Sequence, residues 1–372
     1  MGVIADVVAI PLELGLKPLD EGGLAPYVSN HDVVESRERM LIRVETEAGT
    51  VGWGEFLVIM ESASATKAVV EDVIAPELIG RETTEIRDFV ESFYYPYISV
   101  DPFLGGVEMA LWDVLGKELG APVHQLLGGA VREEIPVAYC LGILEPDEAA
   151  EYAARAHERG FSTLKTKAGH DWREDVERMA AMYDAVDGEM DFRLDPNQGW
   201  SPEETVRVAA TLEDAGIYLE YLEQPQRVAS YGSYHELRSR IKTPLAVNED
   251  TYSRFNLHHL IKADAIDVAV VDIVPGGGIV RTRELAALAT HADLSVSHHS
   301  GMDFGIKTAA VLQTIATTPA IDLAPDSVYY AWEDDLLETP LPVTEGTMTV
   351  PDDPGLGITV DEAAVERYRM DS

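Results

Sequence analysis

From about Ile135 onward the chain repeats one pattern, a short apolar run followed by a longer amphipathic stretch. The short runs fall at 136–141, 163–167, 191–195, 218–223, 245–249, 268–272, 294–298 and 320–323. Their length and apolar content suit buried strands, and the stretches between them carry helix signatures. Ser201-Pro202-Glu203-Glu204, for example, supplies a serine cap, a proline at the first helical position and acids in the first turn. Alternation of this kind predicts a parallel α/β structure. Eight strand–helix units over roughly two hundred residues fit a (β/α)₈ barrel, whose chemistry lies at the C-terminal ends of its strands. A doubly wound open sheet is the alternative, but no Gly-x-Gly-x-x-Gly loop follows an early strand to support it.

The first third reads differently. Residues 40–46 alternate like a strand, Glu47-Ala48-Gly49-Thr50 supplies a turn, and Val51-Gly52-Trp53-Gly54-Glu55 returns as the second arm of a hairpin. Helical patterns follow at 65–78, 85–94 and 107–120, with Gly120 as a stop and Pro122 just beyond it. The tail from Pro340 is turn-rich and is expected to pack back on the N-terminal part. A length of 372 residues suggests two or three domains.

The charge excludes some partners. With 66 acidic and 28 basic residues the formal net is -38, which argues against nucleic acid and anionic membranes. The acid is spread along the whole chain, as suits a protein solvated in a cytoplasm of high salt, where screening removes the self-repulsion. Cys140 is the only cysteine, so no intrachain disulfide can form, and its apolar surroundings suggest packing. No charged-then-apolar leader opens the sequence and no apolar run is long enough to span a bilayer, so a soluble, cytoplasmic protein is expected.

Charged residues stand where a barrel would place its chemistry. Lys165 and Lys167 lie two apart on one strand and so share a side. Two crowded cations disfavour each other's charge, which is a way to prepare a lysine base. Asp195, Glu223 and Glu249 end three successive strands, and an all-carboxylate trio suits Mg²⁺ rather than zinc. Asp272 and His298 end the next two. A carboxylate orients an imidazole and favours its protonated form, as a general acid or base requires. Strand alternation is expected to turn the neighbouring His299 away from the site.

These residues, in this order, resemble the enolase superfamily and within it the mandelate racemase subgroup. The resemblance rests on Ala110-Leu111-Trp112-Asp113, Leu126-Leu127-Gly128-Gly129, the Lys-x-Lys strand, Leu194-Asp195-Pro196-Asn197, Leu222-Glu223-Gln224-Pro225, and Asp272 before Gly276-Gly277-Gly278. It implies an N-terminal α+β capping domain (1–130), a (β/α)₇β TIM-like barrel (131–340), a C-terminal segment (341–372) returning to the cap, and usually a homo-oligomer. It also implies an essential Mg²⁺ on Asp195, Glu223 and Glu249, with Asn248 as a competitor for the third place. Lys167 maps to the base, Lys165 to the group that tunes it, and His298 with Asp272 to the dyad. The muconate cycloisomerase-like branch normally has a lysine in place of Asp272. A last-strand glutamate is missing, and Asp322 is the expected substitute, with Asp326 close behind.

The implied activity is removal of the proton beside the carboxylate of a small acid. Dehydration of a sugar acid to a 2-keto-3-deoxy acid is the leading expectation; racemisation or epimerisation of a 2-hydroxy acid, or cycloisomerisation, would use the same groups, and a non-catalytic barrel would use none of them. Specificity is expected from cap loops at 14–30 and 56–63, where Glu13, Lys17, Tyr27, His31, Met60 and Glu61 stand at or near the ends.

Overall fold

The computed structural model describes residues 1–370 apart from Tyr94, Pro96 and Tyr97. Its N-terminal part is an antiparallel sheet of β1 (Ile4–Gly15), β2 (Ser36–Thr46) and β3 (Val51–Leu57), with the expected hairpin joining β2 to β3. Helix α1 (Asp101–Leu119) lies against β3 and ends at Gly120, whose φ of 64° is the left-handed stop foreseen from its glycine. The approach is close enough that β3 must carry glycine: a Cβ on Gly54 would stand 2.0 Å from the carbonyl oxygen of Gly106. Of the helix expected at 85–94, residues Ile86–Ser92 are helical, and Tyr94 lies outside the described residues.

The second part is the barrel. Its strands are β4 (Ala138–Leu141), β5 (Thr163–Lys167), β6 (Asp191–Asp195), β7 (Tyr221–Glu223), β8 (Leu245–Val247), β9 (Val268–Val271), β10 (Ser295–His298) and β11 (Asp326–Ser327). They form one eight-stranded sheet in which each strand from β5 to β10 pairs in parallel with its predecessor, while β11 pairs with β4. Seven helices connect them: α2 (Pro146–Glu158), α3 (Trp172–Ala185), α4 (Pro202–Asp214), α5 (Tyr231–Arg238), α6 (Arg254–Lys262), α7 (Ile279–Thr290) and α8 (Gly305–Ala316). The architecture is therefore (β/α)₇β, a TIM-type barrel under an N-terminal cap. Helix α4 has the full reciprocal capping box of Ser201 and Glu204.

The eighth strand is not where the apolar run put it. Residues 320–323 form the turn after α8. The amides of Asp322 and Leu323 both donate to the carbonyl of Val296, and Pro325 has no N–H to give a ladder, so the last strand begins only at Asp326. That turn, with Ser297 Oγ donating to the Ala324 carbonyl at 2.9 Å, joins the last segment to β10.

The tail returns to both parts. Thr347–Thr349 pairs antiparallel with Glu134–Pro136, and the amide of Met370 donates to the carbonyl of Pro11 in β1. One buried apolar core runs from the cap sheet through α1 into the barrel walls, while Tyr221, Ala246, Val268 and Val270 form a small separate cluster. Among the described residues, no helix is long and apolar enough to cross a membrane.

Candidate active site

Strand β5 delivers both lysines to one place. Thr166 turns the other way and its Oγ1 donates to the carbonyl of Gly142, while Lys165 and Lys167 line a cavity of about 340 Å³ between barrel and cap. They are not two bare cations. Lys165 Nζ donates to Glu223 Oε1 at 2.7 Å and Asp326 Oδ2 at 2.9 Å, and stands 3.2 Å from Asp195 Oδ2. Burial opposes the Lys165 charge, but Asp326, Glu223 and Asp195 together hold its pKa well above the ordinary lysine value. Mutual repulsion of the pair, expected from spacing, is thus outweighed by carboxylates. Lys167 Nζ has one such partner, Asp195 Oδ2 at 2.6 Å.

Asp195, Glu223 and Glu249 do come from adjacent strand ends, because β6, β7 and β8 are neighbours in register. Asp195 and Glu223 are buried and meet the lysines. Glu249 begins the turn after β8, where its Oε1 accepts from Gln198 Nε2 at 3.0 Å. Among the described residues, no three acidic, histidine or cysteine side chains stand together as a ready metal cage. The donor chemistry nevertheless fits a hard divalent cation. Among the described residues Glu223 Oε2 and Glu249 Oε2 are buried without a hydrogen-bond partner, and burial pushes the Glu223 pKa up to about 7, with Lys165 pulling it back. Asn248 is less available, since its Oδ1 accepts from the Tyr252 hydroxyl and its Nδ2 donates to the Val270 carbonyl.

Two sequence expectations are corrected. His298 does not face the cavity: it is fully buried, and its Nε2 accepts from the amide of Ile273 at 3.1 Å. Burial pushes its pKa down to about 4, with Asp272 offsetting only part of this, so it is neutral near pH 7 and not a protonated acid. His299 takes the expected place. It follows the last strand residue, where alternation no longer holds, lines the cavity, and has Nδ1 3.1 Å from Asp272 Oδ2. Asp322 is also misplaced. It is exposed at the start of β10, where its carboxylate accepts from the Val296 amide and Ser295 Oγ. Asp326 is the acid that lines the cavity, held by Lys165 and by Arg193 Nη1 at 3.2 Å.

One group was not foreseen. Lys307 on α8 is buried, with Nζ 2.9 Å from Asp272 and 2.8 Å from Asp303. Asp303 in turn pairs with Arg39 of β2, and Arg39 Nε lies 3.3 Å from Glu55 of β3. Glu55 also accepts from the amides of Phe304 and Lys307 at the start of α8. The cap thus reaches the His299–Asp272 pair through buried charges. The only trace of this in sequence is an Asp303-x-x-x-Lys307 spacing common to helices in general.

The cap closes the cavity with residues 27–37. His31 Nε2 stands 2.7 Å from the Asn197 carbonyl and His170 Nε2 3.1 Å from the Ser29 carbonyl, pinning this segment over the loops after β5 and β6. Tyr27 and His31 line the cavity as expected of the cap, whereas Glu13, Lys17 and Glu61 do not; the side chain of Met60 lies outside the described residues. Cys140 also reaches the cavity wall, and burial pushes its thiol up to about 12.

Comparison with known proteins gives the same grouping. Residues 148–364 match the family described as "Enolase C-terminal domain-like", and residues 20–128 match the "Mandelate racemase / muconate lactonizing enzyme, N-terminal domain". The chain is 30% identical to the D-galactarolactone cycloisomerase of Agrobacterium fabrum, over 93% of this chain and 95% of that one. It is 29% identical to the D-xylonate dehydratase of Haloferax volcanii, covering 89% and 85% respectively. Among solved structures, an enolase described as a putative sugar isomerase from Streptomyces coelicolor superposes with a TM-score of 0.87 at 32% identity, over 99% of this chain and 97% of that one. Other relatives are racemases and muconate cycloisomerases, so the kinship is to enzymes of more than one reaction class. The chain belongs to the mandelate racemase/muconate lactonizing enzyme family of the enolase superfamily.

Proposed function

We propose that the protein removes the proton next to the carboxylate of a polyhydroxylated acid and expels the hydroxyl on the next carbon, converting a sugar acid to a 2-keto-3-deoxy acid. The observation that carries this is a single cavity lined both by Lys167 and by a histidine bonded to a carboxylate, His299 with Asp272. Lys167, released from Asp195 as the neutral amine, takes the α-proton. His299 has Nδ1 committed to Asp272, which leaves Nε2 to give a proton to the departing hydroxyl. The C–O bond breaks, water leaves, and the enol that remains tautomerises to the keto acid. Lys165, kept charged by its three carboxylates, draws the substrate carboxylate towards the floor of the site. Asp195, Glu223 and Glu249 would hold Mg²⁺. When bound, such an ion supplies positive charge to the substrate carboxylate and makes the α-proton easier to remove.

A second reading has a specific support, the likeness to a lactone cycloisomerase over nearly the whole chain. In that case the oxygen expelled is the ring oxygen of a lactone and no water is lost, with the same two residues in the same roles. Sugar acids and their lactones, incubated with the Mg²⁺-loaded protein in D₂O and followed by NMR, separate the cases. Keto acid from the open acid supports dehydration, and keto acid from the lactone alone supports isomerisation. Deuterium at the α-carbon with no keto acid points to racemisation or epimerisation, and no exchange with any acid defeats the proposal.

A further inference from the structure

We propose that the substrate is a dicarboxylate and that Arg37 of the cap binds its distal carboxylate. This rests on the reading of the cavity as a site of α-proton removal, and it adds what stands at the other end. Cations line the cavity from two sides, Lys165 and Lys167 from β5 of the barrel and Arg37 from β2 of the cap. In a chain with 28 basic residues against 66 acidic ones, a guanidinium on that wall runs against composition.

The two cationic ends differ in how they are answered. Lys165 meets three carboxylates at 2.7–3.2 Å. Among the described residues Arg37 has one partner: Nη1 donates to Asp32 Oδ2 at 3.1 Å, between side chains that are 34% and 49% exposed. A pair that open to water holds its members weakly. Nη2 makes no hydrogen bond among the described residues, while Nε is buried and closed to the cavity. Nη2 is therefore the group left to donate to a ligand carboxylate, in a charge-assisted hydrogen bond.

The remaining walls suit the middle of such a molecule. Ser29, His31 and Asn197 offer polar atoms for hydroxyl groups, beside Leu57 and Met302. A volume of about 340 Å³ accommodates a short polyhydroxylated diacid or its lactone, with one carboxylate at the lysines and the other at Arg37. A monoacid of the same length would present a hydroxymethyl group to Arg37 and leave Nη2 without a charged acceptor.

The test compares an aldarate with the aldonate of the same configuration, and the lactones of both, on the Mg²⁺-loaded protein. The wild type is expected to prefer the aldarate in kcat/KM by about 100-fold, within the range of a hydrogen bond between charged groups. In Arg37→Met that preference is expected to fall about 100-fold, chiefly through KM, with Arg37→Lys recovering part of it. Unchanged melting temperatures confirm that the variants are folded. A wild type that favours the aldonate, or an Arg37→Met variant with an undiminished preference, overturns the inference while leaving the proposed reaction in place. If no acid of either class exchanges its α-proton, the proposed reaction falls and the inference with it.

Discussion

Acid should destabilise this protein through one buried imidazole, and His298→Gln should remove that part of the sensitivity. His298 is fully buried, and because its Nε2 accepts from the Ile273 amide, its single proton is on Nδ1, which has no partner among the described residues. A second proton must go to Nε2, which breaks the Ile273 bond and leaves a cation in the wall between β10 and the strand beside it. Burial accordingly holds the folded pKa at about 4, against about 6.5 in an unfolded chain. Between these values the unfolded chain binds a proton that the folded chain refuses. The contribution is therefore fully present above about pH 6.5 and is lost as pH falls towards 4. At about 1.36 kcal/mol per unit, the loss is about 2 kcal/mol at pH 5 and about 3 kcal/mol at pH 4. Gln can still offer an oxygen to Ile273 and does not titrate. Urea unfolding followed by circular dichroism at fixed high salt, on wild type and His298→Gln from pH 7 to pH 4, should show the two stability curves converging by about these amounts. Parallel curves would refute the reasoning. The same variant should keep its turnover at pH 7, since His298 does not line the cavity, whereas His299→Gln should lose it.

Three further outcomes follow from the buried charges and the surface. Lys307→Met leaves Asp272 and Asp303 short of a cation and should cost about 3–5 kcal/mol, seen as a fall of the melting temperature of about 5 °C, with Lys307→Arg less damaging; a melting point equal to wild type would mean the network is inessential. Glu249→Gln should weaken Mg²⁺ binding by more than about tenfold in titration calorimetry, and an unchanged affinity would place the third ligand elsewhere. With a net charge of -38, lowering the salt from about 1 M to about 0.1 M lengthens the screening distance from about 3 Å to about 10 Å. The melting temperature should fall, and a rise would contradict a surface adapted to high salt.

Much of this architecture is legible in sequence because it depends on periodicity. The two-residue repeat of Lys165 and Lys167 set them on one side, and acids at the ends of apolar runs put Asp195 and Glu223 beside them. What failed did so where regular structure stops. His299 lies one residue beyond the last strand position, so the alternation that excluded it had no force there. The run at 320–323 is apolar because it plugs the barrel beside Val296, not because it pairs. Asp322 and Asp326 are chemically the same residue four positions apart, and only the placement of Pro325 and Arg193 decides which one meets Lys165. The Arg39–Asp303–Lys307 chain joins segments more than 260 positions apart, a pairing that no local pattern encodes.

The division of labour between Lys167 and His299 is tested most directly by following the α-proton of a turned-over acid in D₂O by NMR, in wild type, Lys167→Ala and His299→Asn. Lys167→Ala is expected neither to exchange this proton nor to form keto acid. His299→Asn should still exchange it while elimination stops, because the base is intact and the acid is gone. Exchange that persists in Lys167→Ala, or elimination that persists in His299→Asn, contradicts this division of labour.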